Sequence, residues 1–328
     1  MSEDDKPMNG PSSDRKRPSL IERAADVYDF DAALRGAGRA PVPAPPPTSG
    51  EPESAQPSPL PVPSPPVPAA LGPGAFVPPV AAWSGLALPV DRERLSEEGI
   101  IQPEGDVTGT SEEFRIVKRR VLSAAFGADG KPEARGNFVL VSSAHAGEGK
   151  TWCAINLAIS LAAEQDMDVL LVDADFGKPG ICARLGLPEG PGLMDALVDP
   201  QMAVEQAVLR TDIPGLSVLP AGRQVRNDTE FVASDRTRLV LDRLDNREGR
   251  RIIIFDSPPA LAASPVAELA RHVGQILFVV RADRTTEAAL RDSLNLLSAC
   301  PVIRLLLNGV KFSSSGRQFG NYYGKAMP

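Results

Sequence analysis

The sequence predicts a doubly wound α/β domain with a mostly parallel sheet, preceded by a long region that has no core of its own. Three observations lead there. Six apolar runs rich in β-branched residues alternate with segments of helix length, and such runs are the mark of strands covered by helices on both faces. Several of these runs end in aspartate, serine or asparagine, at the strand ends where this class gathers its ligands. The third observation is a change of composition: seventeen of the 33 prolines fall between Pro41 and Pro89, whereas the alternation of runs starts near residue 111.

Along the chain, SLIERAADVYDFDAALR (residues 19–35) has Ser19 and Glu22 at capping-box spacing, with Leu20, Ala24 and Val27 able to share a helical face. A helix this short is marginal alone, so it is either nascent or docks on a partner or on its own domain. Residues 41–89 read as a semi-stiff, extended spacer that cannot bury enough apolar surface to offset the entropy of ordering. Residues 1–110 are therefore expected to be largely disordered. The strands are expected at 138–143, 169–175, 216–222, 251–257, 275–283 and 302–310, within a folded domain spanning 111–312. A polar segment, SSSGRQFGN at 313–321, then reads as a flexible connector to Tyr322 and Tyr323.

Composition narrows the function classes. A net charge of −7 gives no reason to expect nucleic acid as a partner, since phosphate backbones call for a concentrated basic surface. The three cysteines, Cys153, Cys182 and Cys300, lack the paired spacing of a zinc site or disulfide framework and read as buried thiols. MSEDDKPMNG does not have the basic-then-apolar order of a secretion signal, and no apolar run nears the roughly 20 residues a membrane span needs. The expectation is a cytoplasmic protein whose membrane role, if it has one, comes through a partner.

The chemistry is concentrated at the ends of three runs. The first runs into AHAGEGKT (Ala144–Thr151) and then a helix. This is P-loop spacing in its strand-loop-helix context, with Ala144 at the first glycine position. Gly147, Glu148 and Gly149 would turn backbone N–H groups around phosphate oxygens, and Lys150 would reach the β- and γ-phosphates of ATP. The Thr151 hydroxyl would coordinate Mg2+, and Trp152, next in the helix, is expected among the nucleotide-binding residues. The second run ends in Asp173-Ala174-Asp175 and the fourth in Asp256-Ser257-Pro258-Pro259. Carboxylates gathered at strand ends need a neutralising cation, which Mg-ATP supplies. Asp256 suits the Walker B role of holding magnesium directly or through water. Asp173 is expected to approach the metal, as a further magnesium ligand, together with the attacking phenol, whose proton it would take as base, its strand being expected beside the P-loop. Either Asp173 or Asp175 could instead cap the segment that follows. His272, closing the helix in ELARH, would suit the helix dipole as a cation.

These motifs in this order, AHAGEGKT, VLLVDADFGKP, RIIIFDSPP and LLLNGV, followed by a tyrosine-bearing tail, resemble the bacterial tyrosine kinases (BY-kinases) of capsule and exopolysaccharide systems. DRERLSEEGII and EEFRIVKRRVL bring the likeness to the exosortase-associated tyrosine autokinases. The resemblance covers residues 91–328. It implies a P-loop kinase in which Asp173 and Asp175 form a second aspartate motif and Tyr322 and Tyr323 are phosphoacceptors. It further implies that Asn308 reads the adenine edge, although capping its strand's turn is an alternative. Glu112, Arg115 and Lys118 would form a helix for ring-like self-association, and a membrane-embedded polysaccharide chain-length determinant would be the activator. Lys118 stands where many relatives have arginine, and Gly177 stands where the aspartate motif often has one. Two other functions fit the same residues: a positioning or partitioning ATPase, which typically has lysine where this chain has His145, and an ATP-binding scaffold of a polysaccharide-export complex.

Overall fold

All six expected runs form strands, because Val, Ile, Leu and Phe at consecutive positions suit a sheet buried on both faces. The computed structural model describes residues 83, 85–127, 132–245 and 249–310. The helix expected at 19–35, the spacer up to 82, and the tail with Tyr322 and Tyr323 lie outside them.

In chain order, α1 (Arg92–Glu97) and α2 (Gly109–Phe126) precede β1 (Phe138–Ser143), α3 (Lys150–Ala162) and β2 (Asp168–Asp173). Two short helices follow, α4 (Ile181–Leu185) and α5 (Leu193–Val198), then a 3-10 turn at Val204–Ala207 and strands β3 (Leu209–Arg210) and β4 (Leu216–Leu219). The remainder is α6 (Asp228–Val232), α7 (Asp235–Leu244), β5 (Arg251–Asp256), α8 (Pro265–Leu269), β6 (Gln275–Arg281), α9 (Glu287–Leu296) and β7 (Ile303–Asn308). The sheet runs β3-β4-β2-β5-β1-β6-β7, and only the two-residue β3 is antiparallel to its neighbour.

Strand side chains alternate between two core layers. Phe138, Leu140, Leu170, Ile253 and Phe255 enter one, with residues of α5 and α7. Val139, Val141, Leu171, Ile252 and Ile254 enter the other, beneath α3 and residues of α2. Cys153 to Ala162 are all buried in α3, so this helix sits deep in the molecule and fixes the position of the loop that precedes it. Thr108 and Ser111 start α2 with a reciprocal capping box. The three cysteines are free and buried, as read.

Three expectations need correction, and Lys118 is found buried. The fold begins before residue 110: Val90, Leu95 and Ile100 are buried in the second layer. Leu88 bridges to Thr211 at the sheet edge, so residues 85–101 form a strap along the domain. Next, β2 does not neighbour the P-loop strand. β5 lies between them, making Asp256 rather than Asp173 the carboxylate next to β1. Lys118 turns inward, donating to the Ser160 carbonyl at 3.0 Å and pairing with Glu164. It thereby satisfies the C-terminal end of α3 within its own subunit. Lastly, burial and the charge of Arg135 lower the pKa of His272, which disfavours the cation expected there.

Candidate active site

The carboxyl ends of β1, β5 and β2 lie side by side. The register sets Val141 opposite Asp256, and Asp256 opposite Asp173, so the P-loop and both aspartate segments meet on one edge of the sheet. From Ser143 the chain turns through Gly147 (φ 78°) and Gly149 (φ 98°) into α3. Both glycines take a left-handed conformation that L side chains rarely adopt. A Cβ on Gly149 would also lie 2.1 Å from Asn308 Nδ2, so only glycine fits.

Glu148 holds the loop closed from within. Its side chain is fully buried; its carboxylate accepts from the His145 N–H at 2.9 Å and from the Thr285 hydroxyl. Its carbonyl accepts from Asn308 Nδ2 at 2.9 Å. Asn308 therefore ties the end of β7 to the P-loop. Thr285, a fastening that no motif announced, ties the β6–α9 turn to it. Only the backbone N–H of Glu148 is left to face a phosphate. Trp152 behaves similarly: its indole donates to the Glu98 carbonyl at 3.0 Å and packs edge-on against Phe114, turned toward the strap.

The acidic side of the loop is more tightly built. Asp173 accepts from the N–H groups of Asp175 (3.2 Å), Gly180 (2.8 Å) and Ile181 (3.0 Å). Asp175 accepts from the Lys178 N–H at 3.1 Å and pairs with Lys150 Nζ at 2.9 Å. Both aspartates thus cap the segment that follows while reaching into the site. Burial raises the pKa of Asp173 against the opposing pull of those N–H groups.

Asp256 is more extreme. Burial pushes its pKa up to about 7, with Asp173 and Asp175 adding to the rise and Lys150 and the Thr151 hydroxyl opposing it. Its Oδ1 is buried without any hydrogen-bond partner. An orphaned carboxylate oxygen beside a threonine hydroxyl is a costly arrangement in water-free surroundings, and it suits a divalent cation. Lys150, Thr151, Asp256 and the glycine-lined loop therefore fit Mg-ATP. Of the three residues read as a self-association helix, Glu112 and Arg115 pair with each other at 2.9 Å on α2, apart from these groups.

A strand-loop-helix with two left-handed glycines, an inward lysine and a buried aspartate on the adjacent strand defines the class: a P-loop nucleotide-binding domain of doubly wound topology. Residues 136–283 match the family model of an AAA domain. The chain is 29% identical over 185 residues to tyrosine-protein kinase ptk of Acinetobacter johnsonii, covering 56% of this chain and 25% of that one. It is 27% identical over 241 residues to tyrosine-protein kinase YwqD of Bacillus subtilis, covering 73% of this chain and 97% of the relative. The kinase domain of Escherichia coli tyrosine kinase ETK superposes with a TM-score of 0.56 at 22% identity, over 71% of this chain and 92% of that one, which shows the shared fold. The chain spans about a quarter of the length of the first relatives it matches. The likeness to bacterial tyrosine kinases read from the motifs is thus met by relatives of that name. Among the described residues no helix is long and apolar enough to cross a membrane.

Proposed function

We propose that the chain is a protein-tyrosine autokinase that moves the γ-phosphoryl group of Mg-ATP to Tyr322 and Tyr323. The observation that carries this reading is the buried, unpartnered Oδ1 of Asp256 beside Thr151 and Lys150. Magnesium would be held by Thr151 and Asp256, and it supplies charge neutralisation on the phosphates. Lys150 leaves Asp175 to reach the β- and γ-phosphates, while Gly147 to Gly149 aim N–H groups at them. A phenol with a pKa near 10 needs a proton acceptor to attack at neutral pH. Asp173, its carboxylate fixed by three N–H bonds and its pKa raised, serves as that acceptor.

The names of the relatives support the acceptor as tyrosine. By the same resemblance the chain self-associates, one subunit's tail entering its neighbour's site. It controls exopolysaccharide or capsule synthesis and export from the cytoplasm, where a membrane-embedded chain-length determinant recruits it. With Lys118 committed inside the subunit, Glu112 and Arg115 are the residues of that helix left for the contact. Phosphorylation adds roughly two negative charges per ring, which disfavours rebinding beside Asp173 and Asp256 and favours disassembly.

Mixing two inactive halves tests the reading. Lys150→Met keeps the tail but loses the site, and Tyr322→Phe/Tyr323→Phe keeps the site but loses the acceptors. With Mg-ATP, phosphotyrosine should appear on the Lys150→Met chain only when both are present. No labelling in the mixture or in the unmodified chain would rule the kinase reading out.

A further inference from the structure

We infer that Arg284 is a second phosphate-binding cation, reaching the polyphosphate of the bound nucleotide from the flank opposite the three aspartates. The inference rests on the nucleotide site proposed above and concerns a residue outside the P-loop, Walker B and aspartate motifs.

The β6–α9 turn that carries Arg284 is fastened rather than loose. The Arg281 N–H donates to Thr285 Oγ1 at 2.9 Å, and the Arg284 N–H to the Arg281 carbonyl at 3.2 Å. The Thr285 hydroxyl donates in turn to the buried carboxylate of Glu148 inside the P-loop. Asp283 takes the left-handed conformation, φ 61°, that such a turn requires and that aspartate tolerates better than most residues. The turn is thus part of the wall of the phosphate loop.

Arg284 projects from this fixed turn over the loop. Its Nη1 lies 3.5 Å from where a Cβ on Gly147 would stand. The residue is exposed, and among the described residues its guanidinium has no hydrogen bond or ion pair. By contrast Arg223, which lines a cavity with Asp173, is committed to Asp195. A guanidinium left open above a glycine whose amide is turned toward phosphate has the geometry and the donors for phosphate oxygens.

Charge supports the same assignment. Asp173, Asp175 and Asp256 face one lysine, Lys150, which is itself paired to Asp175. A nucleoside triphosphate adds several more negative charges, and one divalent cation offsets only part of the sum. β6 pairs with β1 on the side away from β5, so Arg284 supplies charge on the flank away from the three aspartates, where the nearby Glu148 carboxylate is already taken up by the His145 N–H and the Thr285 hydroxyl.

The test measures affinity of the full chain for a fluorescent ATP analogue with magnesium, and its displacement by Mg-tripolyphosphate, which lacks base and sugar. Arg284→Ala should weaken both ligands by about tenfold, the scale of one charge-assisted bond at a solvent-facing position. Arg284→Lys should recover part of the loss, and Arg284→Glu should exceed it. Melting temperatures without ligand should stay unchanged, since the side chain is exposed. Unaltered affinity in Arg284→Ala, or a loss for the ATP analogue but not for tripolyphosphate, would overturn the inference while leaving the nucleotide site standing. An unmodified chain that binds neither ligand would remove both.

Discussion

The two flanks of the P-loop are built on opposite principles. On the β5–β2 side, three aspartates crowd around one lysine, and one carboxylate oxygen is left buried with no partner. On the β6–β7 side, Thr285 and Asn308 donate to Glu148, and Arg284 stands over Gly147. The first flank leaves a buried carboxylate oxygen unsatisfied, an arrangement that suits a divalent cation. The second is satisfied within itself and keeps the loop in shape. The contrast teaches that the unsatisfied buried carboxylate at this site lies on the side where metal and acceptor would meet.

Disabling the strained flank should have the largest effect. Asp256→Asn should cut phosphotyrosine formation by about a hundredfold to a thousandfold, read from initial rates at saturating Mg-ATP. The same substitution sharpens the contrast through stability. Asp256 has a pKa raised from 3.8 to about 7 by burial, so the folded, metal-free chain holds its proton more tightly than the unfolded one. Stability should therefore fall as pH rises between these two values. Asp256→Asn should abolish that fall and be more stable at pH 8 by up to roughly 4 kcal/mol in denaturant titrations. Mg-ATP should reverse the order at pH 8, because only the ionised carboxylate serves the metal.

A third prediction concerns the strap, which touches both flanking helices of the acidic side. It reaches α3 through the Trp152 indole and through the Ile101 N–H, which donates to Asn156 Oδ1. It reaches α4 where the Asp91 N–H donates to the Leu185 carbonyl. Its own Leu95 is fully buried against the domain, and Leu95→Ala should cost about 2 to 5 kcal/mol of stability. If the strap were dispensable, the cost would stay under about 0.5 kcal/mol. The smallest effect belongs to the satisfied flank. Asn308→Ala removes one hydrogen bond to the loop and should cost about 1 kcal/mol by thermal melting, with a modest loss of nucleotide affinity.

How much of this was legible in the sequence follows from how far each signal extends. The strands and the P-loop were legible because continuous β-branched runs and a fixed glycine-lysine spacing are local patterns. Asp256 was legible as a strand-end acid. Sheet order was not, since nothing local tells that β5 inserts between β1 and β2. The strap was legible as part of the family likeness but not as folded, because its buried residues, Val90, Leu95 and Ile100, are widely spaced and follow a proline-rich stretch. Lys118 was read only as part of a self-association helix, and only tertiary packing brings the Ser160 carbonyl to it. Thr285 and Arg284 belong to no motif; they matter because β6 happens to flank β1.

The most direct test of the account is to map where the γ-phosphate goes. The full chain would be incubated with Mg-ATP, digested and analysed by mass spectrometry, with released phosphate counted alongside. The account predicts phosphate esters on Tyr322 and Tyr323 that disappear in Lys150→Met. ATP consumed wholly to free phosphate, with every tyrosine unmodified, would contradict it.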